Sequence, residues 1–240
     1  MKIIRRLLCV ALAVSLLCVA AFPALAEIQL IPESTTMYLN SRNSTTLTAT
    51  RKIAINGIDL DSKITNPKSS KPAVLSIAYL TLDEEHLVEF PGDTVDHILA
   101  TLSVRLHKPG KSTVSVKVDG KTYKTKLNVA QYVNPIKSFV ITSLSGKNLK
   151  SQFKTSGSAV SILSSNTKAG QVKLTAASGW RIRKIGFIGS EDTINHERRT
   201  GATTVKLPIP AMKKGNYYAI AAVLQNIATG GVIDTMYMLK

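Results

Sequence analysis

The chain reads as all-β, a pair of β-sandwiches in tandem. Three observations predict this: short runs rich in Val, Ile, Thr and Tyr, breaks at Gly, Pro, Asn and Ser, and alternation of apolar and polar residues within the runs. Residues 112–118 alternate cleanly, with Val114, Val116 and Val118 on one face. Asp119-Gly120 then supplies a two-residue hairpin turn, and residues 122–129 return with Tyr123, Leu127 and Val129 sharing the face that can be buried.

Taken in order, residues 1–26 form a leader. Lys2, Arg5 and Arg6 precede an apolar run over 7–22, and Ala24-Leu25-Ala26 supplies a small-residue cleavage site, the layout of a secretory signal peptide. The apolar run is too short to span a bilayer, and no later stretch is long and apolar enough to do so. The mature chain is therefore expected outside the cytoplasm, secreted or associated with the envelope. Cys9 and Cys18 both lie in the leader. The remainder has no cysteine, which excludes disulfides, zinc–thiolate sites and cysteine nucleophiles. A lipidated Cys18 is disfavoured because Leu17 stands where such signals want a small residue.

Residues 27–133 form the first expected domain. Its strands are predicted at 37–39, 45–50, 73–77 and 99–106, followed by the hairpin over 112–129. Residues 81–96 are acidic and hold Pro91-Gly92, so they read as a long connection with a short helical turn at 83–87. The stretch 131–135 follows a completed strand and ends in proline, which places the domain boundary there. In the second domain, residues 134–240, strands are predicted at 136–142, 159–163, 171–176, 180–187, 203–209, 216–225 and 232–239. The apolar run 217–224 suits either a pair of helical turns or a central strand. Gly215 before it and Gly230-Gly231 after it favour a long hairpin.

The first domain carries the motifs of a known family. The run Thr45-Thr46-Leu47-Thr48-Ala49-Thr50, then Ser69-Ser70-Lys71-Pro72-Ala73-Val74-Leu75-Ser76-Ile77, then Lys108-Pro109-Gly110-Lys111-Ser112-Thr113-Val114-Ser115-Val116 through Val129 resembles the bacterial immunoglobulin-like group 2 domain. The resemblance covers roughly residues 28–130. It departs from the family where a core tryptophan is usual before the Ser-Ser stretch, since this chain has Ile64, Asn66 and Pro67 there. It implies an immunoglobulin-like sandwich used for adhesion, scaffolding or wall association, and it implies no catalytic residue. The second domain resembles no family we can name.

Chemistry is sparse. His86, His97, His107 and His196 lie in no metal-binding or catalytic spacing, and no nucleophile elbow, P-loop or dinucleotide fingerprint occurs. The four read as solvated loop histidines. The acidic groups Asp59 with Asp61, Asp83-Glu84-Glu85, Asp93 with Asp96, and Glu191-Asp192 are too irregular for a recognisable calcium or acid–base site. No enzyme activity, cofactor or metal is expected. The low aromatic content leaves Trp180 as the single tryptophan. With Ile182 on its face and Arg181 and Arg183 on the other, it reads as core rather than as a sugar platform.

Charge is uneven along the chain. Residues 27–133 hold 13 Lys and Arg against 11 Asp and Glu, whereas residues 134–240 hold 15 against 4. Arg181, Arg183 and Lys184 share one short strand, Arg198-Arg199 follow on a loop, and Lys213-Lys214 precede the last hairpin. Were these to meet, they would form a polyanion-binding surface. The expected function is a non-enzymatic secreted or surface binding, adhesion or scaffolding module. Its partner would be an anionic envelope polymer, a glycan or a surface protein, with no specific nucleic acid. One alternative is a carbohydrate- or wall-binding accessory protein, and a weaker one is a hydrolase with a loop-built site at Glu191 or Asp192.

Overall fold

A computed structural model describes residues 28–42, 50–59, 61–90, 93–189 and 194–240, with backbone alone over 83–99 and 194–196. The leader, Thr45 to Ala49 of the predicted strand at 45–50, and Glu191-Asp192 lie outside the described residues. The first eight strands are β1 (Gln29–Pro32), β2 (Thr36–Tyr38), β3 (Thr50–Asn56), β4 (Ile64–Ser69), β5 (Leu75–Phe90), β6 (Asp93–Leu106), β7 (Gly110–Val118) and β8 (Lys121–Ala130). They form two four-stranded sheets, ordered β1-β3-β6-β5 and β2-β8-β7-β4. Alternation dictates what lies between them: Ile53 and Ile55 from β3, Leu102 and Val104 from β6, Val114 and Val116 from β7, and Leu127 and Val129 from β8 are all buried.

The remaining eight are β9 (Ile136–Ile141), β10 (Ser158–Ser161), β11 (Gly170–Ala176), β12 (Trp180–Ile188), β13 (Ile194–Arg199), β14 (Thr204–Ile209), β15 (Tyr218–Asn226) and β16 (Val232–Leu239), with one 3-10 turn at Lys150–Phe153. They form a three-stranded sheet, β14-β11-β9, facing a five-stranded one, β10-β16-β15-β12-β13. The apolar run 217–224 is strand, paired with β16 from Tyr218↔Leu239 to Gln225↔Val232. Ile220, Ala222 and Leu224 are buried, while Ala219, Ala221 and Val223 on the other face are only half-buried. Trp180 is core as expected, 5% exposed.

Both sandwiches split their opening strand across the two sheets. In the first, β1 pairs antiparallel with β3 while β2 pairs parallel with the final strand, β8. In the second, β9 pairs with β11 while β10 pairs parallel with the final strand, β16.

Two sequence expectations are corrected. Residues 81–96 are not a connection with a helical turn: β5 and β6 pair from Leu75↔Leu106 to Phe90↔Asp93, with register shifts at Ile77/Tyr79 and Val88/Phe90. Because β3 meets β6 only over residues 100–105, the outer part is a two-stranded ribbon running past the sheet. Acidic residues there do not mark an absence of strand. Arg198 and Arg199 likewise lie on β13, not on a loop. Among the described residues β13 has β12 as its only sheet neighbour, and an edge strand tolerates a polar run that a central strand would not.

The sandwiches meet through specific contacts. Tyr38 packs on Trp180 with ring centroids 5.2 Å apart and belongs to the core cluster of the second sandwich, as does Tyr132. The Tyr132 hydroxyl sits 2.7 Å from the Phe153 carbonyl and 2.9 Å from that of Ser156. Ser41 and Ser156 form an antiparallel bridge, and the Gly157 amide donates to the Asn40 carbonyl at 2.8 Å. Buried Arg51 of β3 donates to Asp234 Oδ2 of β16 at 2.6 Å and to the Val232 carbonyl at 3.2 Å.

Candidate cationic site

β12 presents Arg181 and Arg183 near one end of the five-stranded sheet. Gln225, opposite Arg181 on β15, organises both: its Oε1 accepts from Arg181 Nε at 3.0 Å, from Arg181 Nη2 at 2.8 Å and from Arg183 Nη1 at 2.9 Å. The Gln225 amide is itself oriented, donating to the Gly230 carbonyl at 2.9 Å. A register shift between Ile182 and Lys184 makes Arg183 the extra residue of a bulge, so that Arg181 and Arg183 reach the same acceptor.

β13 adds the next cations. Arg199 lies opposite Lys184 and Arg198 opposite Ile185. Glu197 pairs with Lys184 Nζ at 2.6 Å and with Arg199 Nε at 3.4 Å. The Lys184 ammonium, donating to this carboxylate, holds it below the usual glutamate range, with Arg199 acting in the same direction. Arg181, Arg183, Lys184 and Arg199 thus converge on one end of the β12–β13 pair, whereas Arg198, opposite buried Ile185, lies on the other face of this edge strand. Lys213 and Lys214 do not join them: both precede Tyr218, at the other end of β15, roughly 20 Å away along the strands.

Three of the four histidines expected in loops lie on strands instead: His86 on β5, His97 on β6 and His196 on β13. His107, just after β6, has Nε2 2.7 Å from Ser76 Oγ, a pair that spacing in sequence could not reveal. A serine–histidine contact acts as a nucleophile only with an orienting group and a charge stabiliser. Among the described residues no carboxylate bonds to this imidazole. No group of three or more His, Cys, Asp or Glu suited to a metal ion occurs among the described residues. The side chains of Asp83, Glu84, Glu85, Asp93 and Asp96 lie outside the description. Among the described residues no helix is long and apolar enough to cross a membrane.

No protein-family model matches the chain, and no curated protein matches it. Among solved structures it is similar to surface layer protein SbsC, domains 4–9, at 15% identity and a TM-score of 0.32, covering 91% of this chain and 32% of that one. It is similar also to S-layer protein SbsC, domains 5–6, at 15% identity and a TM-score of 0.29, covering 88% of this chain and 97% of that one. A biofilm associated protein, BSP domain, is similar at 10% identity and a TM-score of 0.26, covering 88% and 29%. The chain therefore spans about a third of the first of these.

Proposed function

We propose that the exported chain, after removal of residues 1–26, is a non-enzymatic binding module of the cell exterior whose second sandwich contacts an anionic envelope polymer. The observation that carries this reading is the convergence of Arg181, Arg183, Lys184 and Arg199 on one end of the β12–β13 pair, with Glu197 the carboxylate paired there. Guanidinium groups already held by Gln225 lose little side-chain freedom on meeting a phosphate or carboxylate, which favours binding. The first unit, residues 27–133, is in this reading a group 2 bacterial immunoglobulin-like domain that spaces and orients the second, residues 134–240.

Retention on purified cell walls at low and at high salt tests the reading. Replacing Arg181, Arg183, Arg198 and Arg199 together by Ser is expected to lower low-salt retention sharply while the unfolding transition stays in place. Unchanged retention would sink it.

A further inference from the structure

The outer face of the sheet β2-β8-β7-β4 in the first sandwich carries a second charge pattern, hidden in the nearly neutral sum for residues 27–133. Inward positions on β7 and β8 are mostly apolar, Ser112 and Thr125 being the polar ones, so the pleat sends Lys111, Thr113, Ser115 and Lys117 outward from β7. From β8 it sends out Thr122, Lys124, Lys126 and Asn128. The register then sets cations against neutral hydrogen-bonding groups. Lys68 and Lys124 flank Ser115 on either side, Lys126 faces Thr113, Lys111 faces Asn128, and Lys117 faces Thr122.

Two troughs of about 450 and 510 Å³ lie on this face and share Ser70, Thr113 and Lys126, which makes them one continuous path. Five exposed lysines line it: Lys68, Lys71, Lys111, Lys124 and Lys126. No carboxylate lines it, and among the described residues none is within ion-pair distance of any of the five. Six of the first domain's 11 acidic residues instead fall within residues 83–96, on the ribbon that belongs to the opposite sheet.

We infer that this lysine–hydroxyl face is a binding surface for a linear phosphate polymer. It goes beyond the site proposed above, being on the other sandwich, and does not depend on it. Like charges gathered without counter-charges raise the energy of the free protein, an excess that an anionic chain relieves. Lysines two residues apart on one strand, such as Lys124 and Lys126, stand about 7 Å apart, a distance that successive phosphates of a flexible chain can match. Between them the Thr113 and Ser115 hydroxyls offer neutral donors. The outward β7 and β8 positions of this face hold no large apolar or aromatic side chain, so nothing there would insert into a bilayer. That favours a polymer over a lipid surface.

The test measures binding of the mature chain to long-chain inorganic polyphosphate across a salt series. It uses three variants whose folding is checked by thermal melting. One carries Lys68→Gln, Lys71→Gln, Lys111→Gln, Lys124→Gln and Lys126→Gln. A second makes the same change of charge at exposed Lys137, Lys147, Lys150, Lys154 and Lys173, and the third is the four-arginine variant. The face variant is expected to bind about tenfold or more weakly, with the slope of log affinity against log salt reduced by about three, while the second keeps both. Equal losses in the first two variants would make the effect one of net charge and overturn the inference. If only the four-arginine variant loses polyphosphate, the face is excluded and the second-sandwich reading survives. If the face variant loses phosphatidylglycerol vesicles but keeps polyphosphate, the surface belongs to a membrane and the inference also falls.

Discussion

Glu197 is the residue on which the second sandwich's charge pattern turns. It occupies Lys184 and Arg199, and so withholds two cations from any polyanion. Glu197→Gln should therefore strengthen polyphosphate binding several-fold at neutral pH, read by the same titration. Its carboxyl is depressed in the folded protein, so the pairing is intact above the ordinary glutamate range and is lost only as pH falls through the lowered value. Polyanion affinity should rise in that acidic window, and the rise should vanish in Glu197→Gln. Tyr132 has the opposite sign. Burial pushes its hydroxyl well above the ordinary 10.0, keeping it neutral in the native state while the unfolded chain ionises. Stability from this group is complete below pH 10 and declines above it, a decline that Tyr132→Phe should abolish in alkaline urea titrations. Trp180, 5% exposed against Tyr38, should cost about 3–5 kcal/mol on truncation to Ala.

At the scale of elements, the ribbon formed by the outer parts of β5 and β6 pairs, among the described residues, only with itself. Two-stranded ribbons contribute little independent stability. Replacing residues 84–98 by a two-residue turn should leave the denaturant midpoint nearly unchanged, and a large drop would mean that the ribbon packs elsewhere. This element also marks where sequence reasoning failed. The hairpin β7–β8 was legible because Asp119-Gly120 and strict alternation report the same pleat, and β15–β16 because glycines bracket an apolar run. Acidic residues and Pro91-Gly92 outweighed the weaker strand signals of Leu87-Val88 and Val95, and a polar edge strand at β13 gave no apolar period at all. Convergence of Arg181 and Arg183 on Gln225 depended on a bulge, which no local pattern announces. The lysine face was legible in kind, since alternation already sends Lys124 and Lys126 outward. Summing charge over residues 27–133 concealed it, because the sum ignores which sheet each charge belongs to.

At the scale of the molecule, the joint between the sandwiches is built from side chains as much as from linker. Residues 131–135 look like an exposed boundary in sequence, yet Tyr132 is 1% exposed and anchored to the second core. Limited proteolysis should therefore cut this stretch slowly, and Tyr132→Ala should speed cleavage there while leaving two resistant pieces. Across the joint, Arg51 is a buried cation whose two terminal nitrogens donate to Asp234 and the Val232 carbonyl, while its Nε is buried without a partner. Asp234→Asn should lower the unfolding free energy by about 1–2 kcal/mol, since the carboxylate is half open to solvent.

The split opening strand carries one more consequence, a mechanical one. In each sandwich a segment near the entry of the chain runs parallel to the segment at its exit, β2 beside β8 and β10 beside β16. A load drawn along the chain would drag these partners in opposite directions along their common axis, straining their hydrogen bonds together rather than peeling them one by one. Such geometry yields at higher force than an unzipping hairpin.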